Sequence, residues 1–316
     1  MIPAPSVIRK PKALRKGSTL AYFAPASPPS DYGDIRTGIL ELQRLGFKVI
    51  PAHEFLPSGY FAGSTEERLE GFLNALGNKE ITGLIALRGG YGSTYLLDRL
   101  ANESLVSAKC LIGYSDLTAL QIYLWQKSGW VTFHGPMLAA GFGRGADGLQ
   151  GYDESSFMHA VANTKGNWPL NLSGEVLVSG EAEGTILGGC LTILQTSLGT
   201  PWEIDTAGAI LLLEDTQLKP YQVDRALMHL MQSGKMKNVR GIILGDFPGS
   251  EPASPDSPSV RCVCERVLGP LGIPIIYGAA VGHTKRPMLT IPLGIRARLQ
   301  AKEGGTLQLL EPAVVE

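Results

Sequence analysis

Gly113-Tyr114-Ser115-Asp116 is the segment best suited to nucleophilic chemistry. The strand-like segment 109–114 leads into it, and apolar residues at helical spacing (Leu117, Leu120, Leu124) lead out. A serine at a strand-to-helix corner is lifted off the sheet, and the N–H groups opening the helix can hold an oxyanion. The usual elbow reads Gly-x-Ser-x-Gly, whereas the last position here is Leu117. On these residues alone Ser115 suits a nucleophile and a helix cap equally, with Asp116 favourable in the first turn.

A hydroxyl nucleophile needs a base, and the chain has five histidines. His229 falls off the apolar stripe of its helix and reads as surface, His159 reads as solvated, and His53 follows a short strand with nothing further to support it. His134 stands at a strand end in Phe133-His134-Gly135-Pro136, and His283 stands in the loop Gly282-His283-Thr284. Polar loop residues on a rigid scaffold are good functional candidates, yet local sequence leaves these two open. The carboxylate that orients an imidazole is offered by Glu214-Asp215, which ends the apolar run 209–213. Successive strand residues face opposite ways, so one of the two points into a site. Asp215 also suits a cap or turn.

Arg88-Gly89-Gly90-Tyr91-Gly92 forms a second strand-to-helix turn. It lacks the Lys-Ser/Thr ending of a phosphate loop, and its backbone N–H groups serve an oxyanion at least as well. Cys262 and Cys264 lie two apart on one helix and do not face each other. Cys110 reads as a buried small hydrophobe. Cys190 opens a helix, where thiol pKa falls, which makes it a rival nucleophile. We expect no metal and no cofactor.

The elements that place these residues alternate. Strands at 19–24, 47–51, 81–87, 109–114 and 131–133 are separated by helices, one capped by Asp34 and one opened by the capping box Ser64-x-x-Glu67. Apolar, non-alternating strands imply a parallel sheet covered on both faces, with function at the carboxyl ends of its strands. The fold class is therefore α/β: a doubly wound, flavodoxin- or Rossmann-like N-terminal domain over 1–150. Residues 151–175 read as a linker, and 176–316 as a second, mixed α/β domain with an antiparallel component.

Composition narrows the function classes. The 316 residues carry 28 basic and 29 acidic side chains, a net charge of −1, so no field of one sign favours nucleic acid or an anionic membrane. No apolar run approaches the roughly 20 residues of a membrane helix. Basic residues between Arg9 and Lys16 precede an apolar stretch of about seven residues, the short end of a signal core. Pro25 interrupts that stretch, which reads better as a first strand. Four cysteines suit a reducing compartment, and we expect a cytoplasmic protein.

Taken jointly, several motifs resemble one family. In the first half they are Arg88-Gly-Gly-Tyr-Gly92, Ile112-Gly-Tyr-Ser-Asp-Leu-Thr-Ala-Leu120 and Thr132-Phe-His-Gly-Pro-Met137. In the second they are Leu212-Leu-Glu-Asp215, Lys219-Pro-Tyr-Gln-Val-Asp-Arg225, Gly241-Ile-Ile-Leu-Gly-Asp-Phe247, and Gly282-His283 followed by Pro292-Leu-Gly294. This order, running from Ala24 to Gly294, is similar to that of the LD-carboxypeptidases, the muramoyltetrapeptide carboxypeptidases. The resemblance implies a Ser–His–Glu triad of Ser115, His283 and Glu214, set in a cleft between the two domains. It implies an oxyanion hole from the backbone N–H groups of Asp116 and of Gly90, with Gly89 the alternative. The implied substrate is a murein tetrapeptide, cut between an L-centre (diaminopimelate or lysine) and its terminal D-alanine. Gly89 lies against that substrate, and Arg88 is the candidate reader of its free carboxylate, with a structural ion pair the competing role. Family members are often dimers, so a homodimer is an expectation too. Cys190 departs from the asparagine usual after Gly-Gly. Two other readings remain: the related microcin-immunity type, which cleaves aminoacyl-nucleotide amides, and a non-catalytic small-molecule binding protein.

Overall fold

The computed structural model describes residues 5, 7–29, 31–105 and 107–316. The first half alternates through β1 (Thr19–Phe23), α1 (Tyr32–Arg44), β2 (Lys48–Pro51), α2 (Thr65–Gly77), β3 (Ile81–Ala86), α3 (Thr94–Leu100), β4 (Cys110–Gly113), α4 (Thr118–Ser128) and β5 (Thr132–His134). There follow α5 (Glu154–Ala162), β6 (Trp168–Asn171), β7 (Glu175–Val178), β8 (Gly180–Cys190), α6 (Leu191–Ser197), β9 (Ala209–Glu214) and α7 (Pro220–Gln232). The chain closes with β10 (Gly241–Gly245), α8 (Val260–Leu268), β11 (Ile275–Ala279), β12 (Ile291–Leu293), β13 (Arg296–Ala301) and β14 (Thr306–Leu309).

The strands form two sheets. The first has the order β12-β5-β4-β3-β1-β2. Its strands β1 to β5 run parallel in the flavodoxin-like order, which places a crevice beyond the carboxyl ends of β1 and β3. The second sheet is mixed, in the order β6-β14-β13-β8-β9-β10-β11-β7. The expected α/β class, with a doubly wound first sheet and a mixed second one, is what the structure has.

Local sequence explains many of the elements. The Ser64–Glu67 capping box opens α2 as expected. Helix α1 starts earlier than read: Asp31, rather than Asp34, caps it by accepting from the Gly33 N–H at 2.7 Å. The basic-then-apolar N-terminal stretch becomes β1, whose Leu20, Ala21 and Phe23 are buried.

Two features differ from the sequence reading. Residues 151–175, expected to be a linker, contain α5 and β6, and their Tyr152, Phe157, Val161 and Leu170 sit in the main core. That core also takes Ile85 and Ile112 from the first sheet and Ile186, Ile210 and Ile243 from the second, so both sheets bury apolar faces in common. The second difference is β12, which lies beyond residue 176 yet pairs antiparallel with β5 of the first sheet, Ile291 opposite His134. The chain between β11 and β12 therefore crosses from one sheet to the other.

Candidate active site

Among the chain segments that line one cleft of about 610 Å³, three carry the candidate residues. The turn after β4 brings Ser115, the loop after β3 brings Arg88, Gly89 and Gly90, and the crossing from β11 to β12 brings Gly282 and His283. Glu214 lies behind them at the last position of β9.

Ser115 opens a 3-10 turn directly after β4, and its φ of +63° is a left-handed conformation rare outside glycine. Strain of this kind, on the order of 1–3 kcal/mol, recurs at reactive corners. The Gly89 segment passes over the hydroxyl: a Cβ built on Gly89 would stand 2.7 Å from Ser115 Oγ and 3.7 Å from Asp116 N. Glycine permits that approach. Among the described residues the N–H groups of Gly89 and Gly90 donate to no backbone carbonyl. Gly90 has φ +114°, and a Cβ there would overlap the Ser27 side chain. These N–H groups and that of Asp116 are thus available to an anion beside the serine.

Glu214 is fully buried, and its Oε2 accepts two hydrogen bonds from His283: the backbone N–H at 2.9 Å and Nδ1 at 2.7 Å. An ionised carboxylate only accepts, so Nδ1 carries the ring proton and Nε2 keeps its lone pair. Gly282 makes the approach possible. Its φ is +60°, and a Cβ there would overlap the Glu214 carboxyl group. Burial pushes the Glu214 pKa up, but the charge and hydrogen bonds of His283, with His134 adding to them, pull it below the ordinary carboxylate value. Burial likewise pulls His283 down, and the charge and hydrogen bond of Glu214, with Asp215 behind, raise it above its ordinary 6.5.

The Tyr114 ring packs edge-on against His283, with centroids 5.0 Å apart. Ser115 and His283 line the same cleft without a hydrogen bond between their side chains among the described residues. Such bonds often tighten when substrate binds. A hydroxyl at a strained corner, an imidazole oriented by a buried carboxylate and free N–H donors can together perform acyl transfer.

The other candidates separate clearly. Asp215 faces away, and its Oδ2 accepts from the Thr192 N–H (2.8 Å) and hydroxyl (2.7 Å) at the start of α6, which is capping chemistry. Cys190 is buried beside that carboxylate. Burial first, then the charges of Glu214 and Asp215, hold its thiol well above the ordinary value. The helix-start argument for a reactive thiolate fails there because burial, reinforced by the two carboxylates, outweighs the helix terminus. Arg88 lines the cleft, donates to the Pro28 carbonyl at 3.2 Å and pairs with no carboxylate among the described residues. His229 and His159 are exposed, and His53 does not line the cleft. Among the described residues no group of three or more His, Cys, Asp or Glu side chains is arranged to hold a metal ion.

Sequence reasoning missed the frame behind the Gly89–Gly90 loop. Asp116 Oδ2 accepts from the Ser93 N–H at 2.8 Å, which ties that loop to the residue after the serine. Arg68, almost wholly buried, donates to the carbonyls of Pro25, Gly63 (3.2 Å) and Gly92 (2.8 Å) and lies 4.9 Å from the Phe61 ring centroid. Nothing local marks it out, because an arginine on an amphipathic helix is ordinarily solvated.

Comparison with known proteins decides the family. The family models for the LD-carboxypeptidase N-terminal and C-terminal domains match residues 20–135 and 183–299. The probable murein peptide carboxypeptidase of Bacillus subtilis is 36% identical over 299 residues, covering 93% of this chain and 92% of the relative. The chain belongs to the LD-carboxypeptidase family. Among solved structures, the muramoyltetrapeptide carboxypeptidase from Oxalobacter formigenes is 32% identical at a TM-score of 0.79, covering 93% of this chain and 99% of that one. The microcin C7 self-immunity protein MccF, in complex with aspartyl sulfamoyl adenosine, is 26% identical at a TM-score of 0.86, covering 96% and 99%. The LD-carboxypeptidase family thus holds both relatives that the sequence motifs suggested.

Proposed function

We propose that this LD-carboxypeptidase is a serine peptidase that removes the terminal D-alanine from murein tetrapeptides, cutting after the L-centre of diaminopimelate or lysine. The observation that carries the reading is the buried Glu214–His283 pair in the same cleft as the strained Ser115 corner. Ser115 attacks the amide carbonyl, and His283 Nε2 takes its proton. Glu214 holds the imidazole in the productive tautomer and stabilises its charged form. The N–H groups of Asp116 and of Gly90 or Gly89 receive the oxyanion, each worth about 3–4 kcal/mol in the transition state. Protonated His283 then passes its proton to the leaving D-alanine amine. Water, activated by the same imidazole, hydrolyses the acyl-enzyme.

Arg88 is the reader of the substrate's free carboxylate, since it faces the cleft without a carboxylate of its own. The likeness to the murein peptide relatives supports the substrate class. Four free cysteines fit a reducing compartment, so we place the reaction in the cytoplasm. The fold likeness to a protein seen with aspartyl sulfamoyl adenosine supports aminoacyl-nucleotide amides as the second reading. A parallel assay separates the two: kcat/KM on a diaminopimelate tetrapeptide and on aspartyl sulfamoyl adenosine, with both products followed by mass spectrometry. The reading predicts preference for the tetrapeptide, and turnover of the nucleotide amide alone overturns it.

A further inference from the structure

Glu214 has two carboxylate oxygens, and His283 occupies one of them. Oε2 takes both His283 bonds. Oε1 is buried with no hydrogen-bond partner, and His134 Nε2 stands 3.8 Å from it. Both side chains have no exposure at all. Neither nitrogen of the His134 ring has a hydrogen-bond partner. A histidine placed for structure would be expected to spend at least one nitrogen on a backbone group. His134 is instead held through its backbone, opposite Gly113 of β4 on one side and Ile291 of β12 on the other. Its ring lies edge-on to Tyr114, with centroids 6.0 Å apart, and the same tyrosine packs against His283. One tyrosine and one carboxylate are therefore shared by two imidazoles.

We propose that His134 is a positioning residue: its ring carries the proton on Nε2 and directs it at Glu214 Oε1, so that Oε2 stays committed to His283. The proposal rests on the reading of Glu214 and His283 as partners of Ser115. A gap of 3.8 Å exceeds an ordinary N–H···O bond, about 2.7–3.2 Å, so contact closes by a small shift of either side chain. Chemically the direction is fixed. An ionised carboxylate can only accept, so the attractive tautomer of a neutral imidazole is the one that donates from Nε2. The ring is neutral because burial outweighs the attraction of Glu214 and, with His283 adding to it, pushes its pKa down to about 4. The other titratable groups packed around the pair are Asp215 beyond β9, His283 on the crossing, Tyr114 beyond β4 and Cys190 at the end of β8.

The consequence concerns the base. A donor on Oε1 stabilises the Glu214 anion most while His283 is neutral. Removing it raises the proton affinity of the Glu214–His283 pair, and the base is freed only at higher pH.

The test compares His134→Phe with His134→Gln in D-alanine release across pH. The phenylalanine variant should lose about ten- to a hundredfold in kcat, the worth of a hydrogen bond to a charged group. Its KM should stay near wild type, and the acid limb of kcat/KM should move up by about half a unit or more. The glutamine variant, whose amide N–H reaches the same place, should recover most of both. Wild-type kcat and limb in His134→Phe, or equal loss in both variants with unshifted limbs, would overturn the proposal. Nitrogen-15 NMR of the wild-type ring needs neither variant to fold. It should show a neutral ring protonated on Nε2 from about pH 5 to 8, and a proton on Nδ1 or a charged ring would refute the assignment. That spectrum does not depend on turnover. A failure of the triad itself would show separately, as full activity in Glu214→Gln.

Discussion

Gly89→Ala is the smallest change that should disable the site while leaving the fold intact. Gly89 does not have a left-handed φ, so alanine can adopt its backbone. The obstacle is what the new methyl meets, 2.7 Å from Ser115 Oγ and 2.8 Å from Ser115 Cβ. Carbon atoms settle at roughly 3.5–4.0 Å, so the two Cβ atoms must part by at least about 0.7 Å. Ser115 is fixed by a tight turn after β4, and the Gly89 loop is fixed through Asp116 to Ser93 and Arg68 to Gly92. Whichever segment yields, the hydroxyl and the N–H donors lose their mutual geometry. A misplacement near 1 Å costs about 10²-fold, so a displacement of this size should lower kcat by roughly 10- to 100-fold. Overpacking should cost about 1–3 kcal/mol of stability, which for a chain of this length lowers Tm by only a few degrees. The control is Gly77→Ala, where a Cβ meets nothing within 4 Å and activity should stay at wild type. Steady-state D-alanine release beside thermal melting reads both quantities. If Gly89→Ala folds and keeps wild-type kcat, the Gly89 segment does not frame the reacting group and the oxyanion assignment falls.

Four other outcomes follow from the same geometry. In wild type the base must be neutral, so kcat/KM should rise with pH through an acid limb above 6.5, because Glu214 holds His283 above that value. Glu214→Gln removes that charge: kcat should fall by about 10⁴-fold and the limb should move to lower pH. A limb that stays in place would show that Glu214 does not set the base. Stability carries the complementary signs. The raised His283 contributes fully below its unfolded value of 6.5, and that contribution is lost as pH rises through its folded pKa. The lowered Glu214 contributes above 4.5, and that contribution is lost as pH falls through its own folded pKa. Denaturant midpoints measured across pH should follow both signs. Iodoacetamide at about pH 8 should alkylate Cys262 alone in the native protein. Cys110, Cys190 and Cys264 are buried with raised pKa values, Cys264 to about 12, and rapid labelling of Cys190 would contradict its placement.

Much of the first sheet was legible because its signals are local. Parallel strands buried on both faces are written as plain apolar runs, and the Ser64–Glu67 box is complete within four residues. The illegible parts depend on distant partners. Strand β8 hides behind Glu181, Glu183 and several glycines, and its polar face makes sense only beside β13, where Arg296 and Arg298 pair with those acids. Strand β12 is three residues long and is defined by its return to β5. In the site, local spacing could not rank His134 against His283, and the structure gives the reason: both rings stand beside Glu214, one near each oxygen. The choice of Ser115, Glu214 and His283 came from a resemblance spread over many motifs, and no one motif carried it. The frame of Arg68 and Asp116 escaped altogether, since its contacts join residues up to 43 positions apart.

The most direct test of the account is mass-spectrometric measurement of D-alanine released from a diaminopimelate tetrapeptide by wild type and by Ser115→Ala. The account predicts release by wild type and its loss by about 10⁶-fold in kcat in the variant. Comparable release by a folded Ser115→Ala protein, or none from folded wild type, would contradict it.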